Sequence, residues 1–554
     1  MKYSIIILIT QLLLWGCCRS ERSILESFYK ALDGDKWEHK ENWLSDKPLN
    51  EWYGITTDEE GKVVKIQLSD TMTGKVPANL KHLKKLQSLH LDCMAGGIRL
   101  EVNNYPSLKE LELSGNVEKV SVENCSELEK LSLTSRYFDA FHVDSCPKLS
   151  SLELIGHNIS DTTKGELDLS PFPKLSELKI HHLALDQLHI NNCFNLKKIE
   201  IDSCQLQELN LSSCANLEYL KVSGNDSLHA LDLSRCMKLD TIKVKRNSIT
   251  QLDVSQCKEL RYLDCSFNHL STINVDNCKK LKKLVIEFNN LSKLDVSKCK
   301  ELEELWCEVN KISVLDLSKN SKLNTINCSG NRLKSIDLNK NNELKDFRCI
   351  VNNLSVLDLS RCKKLKYLWC GFNNLSELDL SHNLELYQLD CSNSDELTTI
   401  DLSKNEKLSY LNCENTPLKE LNICKCKKLK YLWCGFNNLS ELDLSHNLEL
   451  YQLDCNNNDE LTTIDLSKNE KLSYLNCENT PLKELNIYNC SKIEYLNLYG
   501  TQLTSIDISN HYELCYFNID CTPITTIWVP KGCTGLKEGD NCLVPERVEY
   551  KTKQ

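Results

Sequence analysis

The sequence predicts a mainly β, right-handed solenoid with strands on both edges of each coil, weak curvature and a small α-helical cap at its N-terminal end. Three observations carry this. A unit of about 21 residues holds its phase over most of the chain; within it apolar residues alternate as in a half-buried strand; and 18 Gly and 11 Pro in 554 residues leave little material for linkers between ordinary domains.

Reading from Leu260, the chain runs LRYLDCSFNHLSTINVDNCKK, then LKKLVIEFNNLSKLDVSKCKE, then LEELWCEVNKISVLDLSKNSK. The unit is L-x-x-L-x-(C/L/I/V)-x-x-N-x-L-x-x-L-D-L-S-x-(N/C)-x-x. Its inward anchor recurs from Leu113, Leu133 and Leu154 through Ile180, Val222 and Cys265 to Cys477, Leu498 and Ile519, and Leu68 and Leu91 extend it upstream. That makes about 22 coils. Ordering one such coil costs on the order of 30 kcal/mol. Its six or seven apolar side chains return roughly 1.5 to 3 kcal/mol each, so a single coil cannot stand alone and stacking is obligatory. The second half of each coil, LDLS, also alternates; two strand edges stacking at about 4.8 Å bend the axis less than helices packed 8 to 10 Å apart, roughly, on the outer side.

The opening L-x-x-L-x-L-x-x-N-x-L resembles the leucine-rich-repeat family, and L-x-x-L-D-L resembles a bacterial 21-residue class of it. The Asn column (Asn225, Asn247, Asn268, Asn289, Asn310, Asn331, Asn352, Asn373, Asn437, Asn458) is expected to bond backbone groups of the neighbouring coil. Cys204 replaces it once, and Thr416, Thr480, Thr501 and Thr522 replace it later.

The N-terminus, MKYSIIILITQLLLWGCCRS, has one Lys before an apolar run too short to span a bilayer, and reads as a signal peptide over 1–16 followed by an anchor and linker over 17–22. An acylated Cys17, an ordinary cleaved signal and an uncleaved anchor are the three readings; Leu14-Trp15-Gly16-Cys17 resembles a bacterial lipobox, which implies the first. Residues 23–65 resemble the helical cap of plant-type and some bacterial leucine-rich-repeat proteins, with Trp37, Trp43 and Trp52 as the matching aromatics. Leu49 and Thr57 stand near the places of that cap's usual cysteine pair, so the resemblance brings no disulfide here. Repeats occupy 66–529, and 530–554 is a tail expected to close the far end. Cys362 to Ile423 and Cys426 to Ile487 are near-identical copies, differing at Ser392/Asn456 and Ser394/Asn458, so three coils were copied as a unit. A surface that binding favours is one reading of that copy; replication slippage, which produces it without selection, is the other.

Thirty cysteines in an exported chain suggest disulfides, but their phase argues otherwise. Nine successive coils from Cys307 to Cys477 place Cys at the apolar anchor, and a second set including Cys193, Cys278, Cys362 and Cys490 alternates with Asn at the turn after LDLS. Both are expected to be filler rather than bridges; Cys533 with Cys542 is the best disulfide candidate. His181, His182 and His189 form the one local histidine cluster, read as surface rather than zinc, and the aspartates of LDLS (Asp295, Asp316, Asp337, Asp358, Asp379) read as turn formers rather than cation ligands.

No nucleotide loop, H-E-x-x-H helix or G-x-S-x-G elbow stands in a supporting context, so no catalytic residue, metal or cofactor is expected. A net charge of −11 with interspersed signs argues against nucleic acid. The informative positions face outward from L-x-x-L-x-C: a row with Tyr262, Tyr367, Tyr410, Tyr431, Tyr474, Tyr495 and Tyr516, and a row with Asp264, Trp306, Asn327, Arg348, Trp369, Asp390, Asn412, Trp433, Asp454, Asn476, Asn497 and Asn518. Beyond the leader and cap, three of the four remaining Trp share that second row. Trp306, Trp369, Trp433, Tyr367, Tyr431, Arg348, Asp390 and Asp454 are the candidate ligand-binding residues. Such rows suit a protein interface; a glycan platform and a structural spacer are the alternatives, and cross-coil stacking that only stabilises the sheet is the bland account. The family resemblance implies a non-catalytic surface lipoprotein of a Gram-negative bacterium, on the membrane through its lipid anchor only.

Overall fold

The computed structural model describes residues 20–135, 140–156, 165–531 and 542–552. Cys17 and the leader lie outside these, as does Cys533 of the candidate disulfide. The chain divides into two compact units, Met1–His269 and Leu270–Gln554, which between them hold about 22 solenoid turns.

In the first unit, the helix Glu21–Ala31 starts because the Ser20 hydroxyl accepts from the Ser23 amide at 3.2 Å. It buries Ile24, Leu25, Phe28 and Tyr29. Phe28 and Tyr29 pack on Trp37 and Trp43, which in turn meets Trp52, with ring centroids 5.0 to 6.3 Å apart. The three cap tryptophans are therefore core. The strand Ile55–Thr57 runs antiparallel to Val63–Asp70, and from there every pairing is parallel. Leu178, Ile199, Leu220, Ile242 and Leu263 lie side by side in successive strands, all fully buried.

The second unit repeats this in short strands from Lys283–Val285 to Tyr516–Asn518. Leu284, Leu305, Ile326, Phe347, Leu368, Leu389, Leu411, Leu432, Leu453, Leu475, Leu496 and Phe517 form one unbroken register. The next inward residue, Cys307 through Cys477, is also fully buried. Among the described residues no cysteine is bridged in a disulfide, and the second set, such as Cys278 and Cys362, is buried at the turn. Cys455 and Cys477 share a thiol–thiol hydrogen bond at 3.6 Å between sulfurs, not a disulfide. Burial pushes the Cys362 thiol up to about 11 and that of Cys328 to about 12, so these sulfurs stay protonated and unreactive at neutral pH.

The Asn column does what a buried amide must. Asn310 Oδ1 accepts from the Leu291 amide of the previous coil at 3.0 Å, while its Nδ2 donates to the carbonyls of Ile286 and Cys307. Thr416, Thr480, Thr501 and Thr522 donate their hydroxyls to the carbonyl three residues back. In the turn column Asn320 bonds the carbonyls of Val296 and Cys299.

The outer edge is a regular ladder in the first coils, where Arg99–Asn103 pairs with Lys119–Glu123 and on to Ala140–Asp144, and again at the far end, where Ser505–Asp507, Thr526–Val529 and Glu549–Thr552 pair in turn. Through the middle coils of the second unit that edge forms no continuous ladder. There Asp295, Asp316, Asp358, Asp379 and Asp401 each accept from the amide of the Ser two residues on, at 2.8 to 2.9 Å, a turn that Asp168 and Asp507 also make at the end of paired strands.

Candidate binding face

The outward rows of the second unit sit where the strand alternation places them, but not all of them are accessible. Trp433 is 38% exposed, and Trp306, Trp369, Tyr367, Tyr431, Arg348, Asp390 and Asp454 are half-buried. Asn327, Asn412, Asn476, Asn497 and Asn518, expected in the exposed row, are buried at 4 to 8% exposure. A short Asn between larger neighbours on strands about 4.8 Å apart is roofed over. Four of the five serve the carboxylates: Asn327 donates to Glu308, Asn412 to Asp390 at 3.3 Å, Asn476 to Asp454 at 2.9 Å and Asn497 to Glu478 at 2.9 Å.

The aromatics form two different arrangements. Tyr474, Tyr495 and Tyr516 stack face to face, with centroids 4.3 and 4.2 Å apart and planes within 11°. That is the cross-coil stacking of the bland account, and it supports the sheet. Upstream, Tyr410 bridges Trp369 at 5.8 Å and Trp433 at 6.3 Å and meets Tyr431 at 6.3 Å, all tilted. The buried Trp369 Nε1 finds no acceptor. Burial, with Asp390 beside it, pushes the Tyr410 hydroxyl up to about 12.

The electrostatics of this patch are lopsided. Arg348 is already committed: it forks onto Asp346 at 3.1 and 2.9 Å and lies 5.7 Å from the Trp306 ring centroid. Past it, Asp390 accepts from the Ser392 amide and hydroxyl, and Asp454 from the Asn456 amide. Glu414 lies on the same face; burial, then Asp454 and Asp390, raises its carboxyl above the usual range. Burial likewise raises Asp454, with Glu478 adding to it.

A further row, which the sequence reading passed over, flanks these strands at their C-terminal ends. Phe288, Val309, Val351, Phe372 and Phe436 are 38 to 53% exposed, and all have left-handed backbone, with φ between 48° and 55°. Their amides are clamped to the next coil, as Phe372 to the Ser392 carbonyl at 2.8 Å and Val309 to Ser329 at 2.9 Å. The signal was present in the sequence: the same column holds Gly330, Asn393, Asn415 and Gly500, the residue types that left-handed backbone favours.

Elsewhere, His181 and His182 lie 6.5 Å apart and His189 pairs with Glu166 at 2.9 Å. Among the described residues no group of three or more His, Cys, Asp or Glu is placed to hold a metal ion, and no helix is long and apolar enough to cross a membrane.

No protein-family model and no curated protein sequence matches the chain. Among solved structures, the functional domain of InlJ from Listeria monocytogenes, described as including a cysteine ladder, is 32% identical with a TM-score of 0.52, over 58% of this chain and 71% of that one. The chain belongs to the leucine-rich-repeat family. This leucine-rich-repeat protein also shares its fold with YopM from Yersinia enterocolitica (23% identity, TM-score 0.53, 82% of this chain and 91% of that one). The Arabidopsis receptor kinase HAESA, solved with a peptide hormone and a co-receptor, is 20% identical with a TM-score of 0.55, over 92% and 95%.

Proposed function

We propose that this leucine-rich-repeat protein is a non-catalytic cell-surface binding protein that holds a protein partner on the exposed strand face of its second unit. The observation that carries the reading is the Trp369–Tyr410–Trp433 group, tilted rings on the outward side of the strands with Trp433 38% exposed, in a row where other coils carry Asn. HAESA, of the same fold, is solved with a peptide ligand, which fits a binding role and does not name this chain's partner. The lipobox-like Leu14–Cys17 supports attachment to the outer membrane of a Gram-negative bacterium through acylated Cys17.

Proximity labelling at the cell surface identifies the partner. Trp306→Ala, Trp369→Ala and Trp433→Ala combined should then weaken its binding by more than about tenfold with little change in the unfolding midpoint; unchanged affinity rejects the face. Fatty-acid probe labelling that is equal in wild type and Cys17→Ala rejects the anchor.

A further inference from the structure

Four outward positions follow one another on each strand and its C-terminal edge, for example Tyr367, Trp369, Gly371 and Phe372. From Tyr367 to Cys521 these positions hold Asp390, Glu414, Asp454, Glu478 and Asp520 and not one Lys or Arg. The basic residues of the same coils lie outside these positions, and three of them, Lys364, Lys407 and Lys471, pair at 2.5 to 2.6 Å with Glu343, Glu385 and Glu449 at the turns. The near-balance of charge along the chain thus conceals a sorting, with compensated pairs at the turns and uncompensated carboxylates on the face. Asp390, Asp454 and Glu478 are held by neutral donors, Ser392 and three Asn amides, which fix a carboxylate without cancelling its charge.

The column of left-handed Phe and Val beside it is the second observation. Bulky and β-branched side chains are disfavoured in that backbone region, and apolar groups exposed in a row invite association. Gly and Asn, which occupy the same column in other coils, would avoid both costs. Strain kept at exposed positions, with no gain to the core, points to a use outside the fold. Phe372 and Phe436 stand three residues beyond Trp369 and Trp433, with Asn393 and Asn415 between them in the column, so two apolar points flank the aromatic–acidic rows.

If the strand face is the docking surface, as proposed above, we infer that its partner is a basic, amphipathic protein segment, whose Lys or Arg side chains pair with Asp390, Glu414 and Asp454 between the Trp369, Tyr410 and Trp433 rings while its apolar side chains rest on Phe372 and Phe436. A cation is the ligand group that carboxylates and aromatic faces attract together. Glycan hydroxyls would stack on the rings and donate to the carboxylates, but they would neutralise no charge and would leave Phe372 and Phe436 without a role. Crowded carboxylates resist ionisation, so the empty face is self-repelling, and a cationic partner relieves that on binding.

A random dodecapeptide display library selected on the full chain tests this. Wild type should enrich peptides rich in Lys or Arg with interspersed apolar residues. A synthetic peptide from that pool should lose affinity as salt rises, and by roughly tenfold or more against Asp390→Asn, Glu414→Gln and Asp454→Asn combined. The same variant should unfold at a higher temperature than wild type, so weaker binding cannot be ascribed to misfolding. Enriched peptides without basic residues, which bind the neutralised variant as well as wild type but lose affinity to Trp369→Ala with Trp433→Ala, overturn the basic partner and leave the strand face standing. Peptides indifferent to both variants overturn the face itself. Failure to enrich any peptide, with retention on a glycan array instead, overturns the protein-segment inference in favour of a glycan.

Discussion

Asn310 carries more of the fold than any single leucine beside it. Its amide joins two coils through three backbone groups, so Asn310→Ala leaves buried donors and acceptors orphaned and should cost about 2 to 4 kcal/mol, read by chemical denaturation. His511 is the column's exception. It fills the position held by Asn320 or Asn469 in other coils, is 3% exposed, and neither ring nitrogen makes a hydrogen bond of ordinary geometry. Burial holds its pKa below the ordinary 6.5, so below that pH the unfolded chain binds the extra proton. The His511 contribution is therefore intact above about pH 6.5 and is lost as pH falls from there towards the depressed folded value. His511→Asn should flatten that part of the stability profile; an unchanged profile contradicts the assignment. The left-handed column gives the opposite kind of prediction. Val351→Asn, at φ 55°, should raise stability by about 1 kcal/mol because it relieves strain without removing a core contact. Asn310 was legible in the sequence because a polar residue recurring inside an apolar frame needs a partner. Val351 was not, because an apolar residue reads as core until the backbone dihedral is known.

The two edges of a coil behave differently for reasons that periodicity alone cannot separate. Both L-x-C and L-D-L alternate, and both were read as strands. Within each unit the first joins its neighbours; the second does so in the first coils and at the far end, and the Asx turn does not decide where, since Asp168 and Asp507 end paired strands and accept from the Ser170 and Ser509 amides as Asp295 does from Ser297. Asp295 and Asp316 carry lowered pKa values, from the amide and hydroxyl of Ser297 beside the one and of Ser318 beside the other. A carboxylate lowered on folding stabilises above its unfolded pKa, and the contribution is lost as pH falls below about 4. Glu414 and Asp454 have the reverse sign: raised on folding, they oppose stability once pH exceeds their folded values, so Glu414→Gln with Asp454→Asn should stabilise at neutral pH, while Asp316→Asn and Asp358→Asn should make the acid limb shallower. Denaturant midpoints between pH 3 and pH 8, on the order of one unit apart, check both signs. The outward direction of the Trp row was legible from the same alternation, but the half-burial of Trp306 and Trp369 and the roofing of Asn412 and Asn476 were not, because they depend on the size of neighbours one coil away.

At the scale of the molecule, a repeat array tolerates loss of whole coils and not of fractions. Cys362 and Cys426 open equivalent coils of the copied block, so deleting residues 362–425 returns the chain to phase and should leave a cooperatively unfolding protein, whereas ending the deletion ten residues earlier should not; circular dichroism and melting distinguish them. The in-phase deletion removes Trp369 and Asp390 but keeps Trp433 and Asp454, so it also reports whether the copied surface adds to binding. The solenoid itself was written in the period of the sequence. The working face was only partly so, since alternation shows what points outward and not what a partner would find there. Site-specific photo-crosslinking tests that face most directly, with a photoreactive phenylalanine analogue placed in turn at the positions of Tyr431 and Trp433 on the strand face and of Lys404 and Lys468 at the exposed turns. Adducts to one partner from positions 431 and 433, and none from 404 and 468, are the predicted result; adducts from the turn positions alone, or equally from all four, would contradict it.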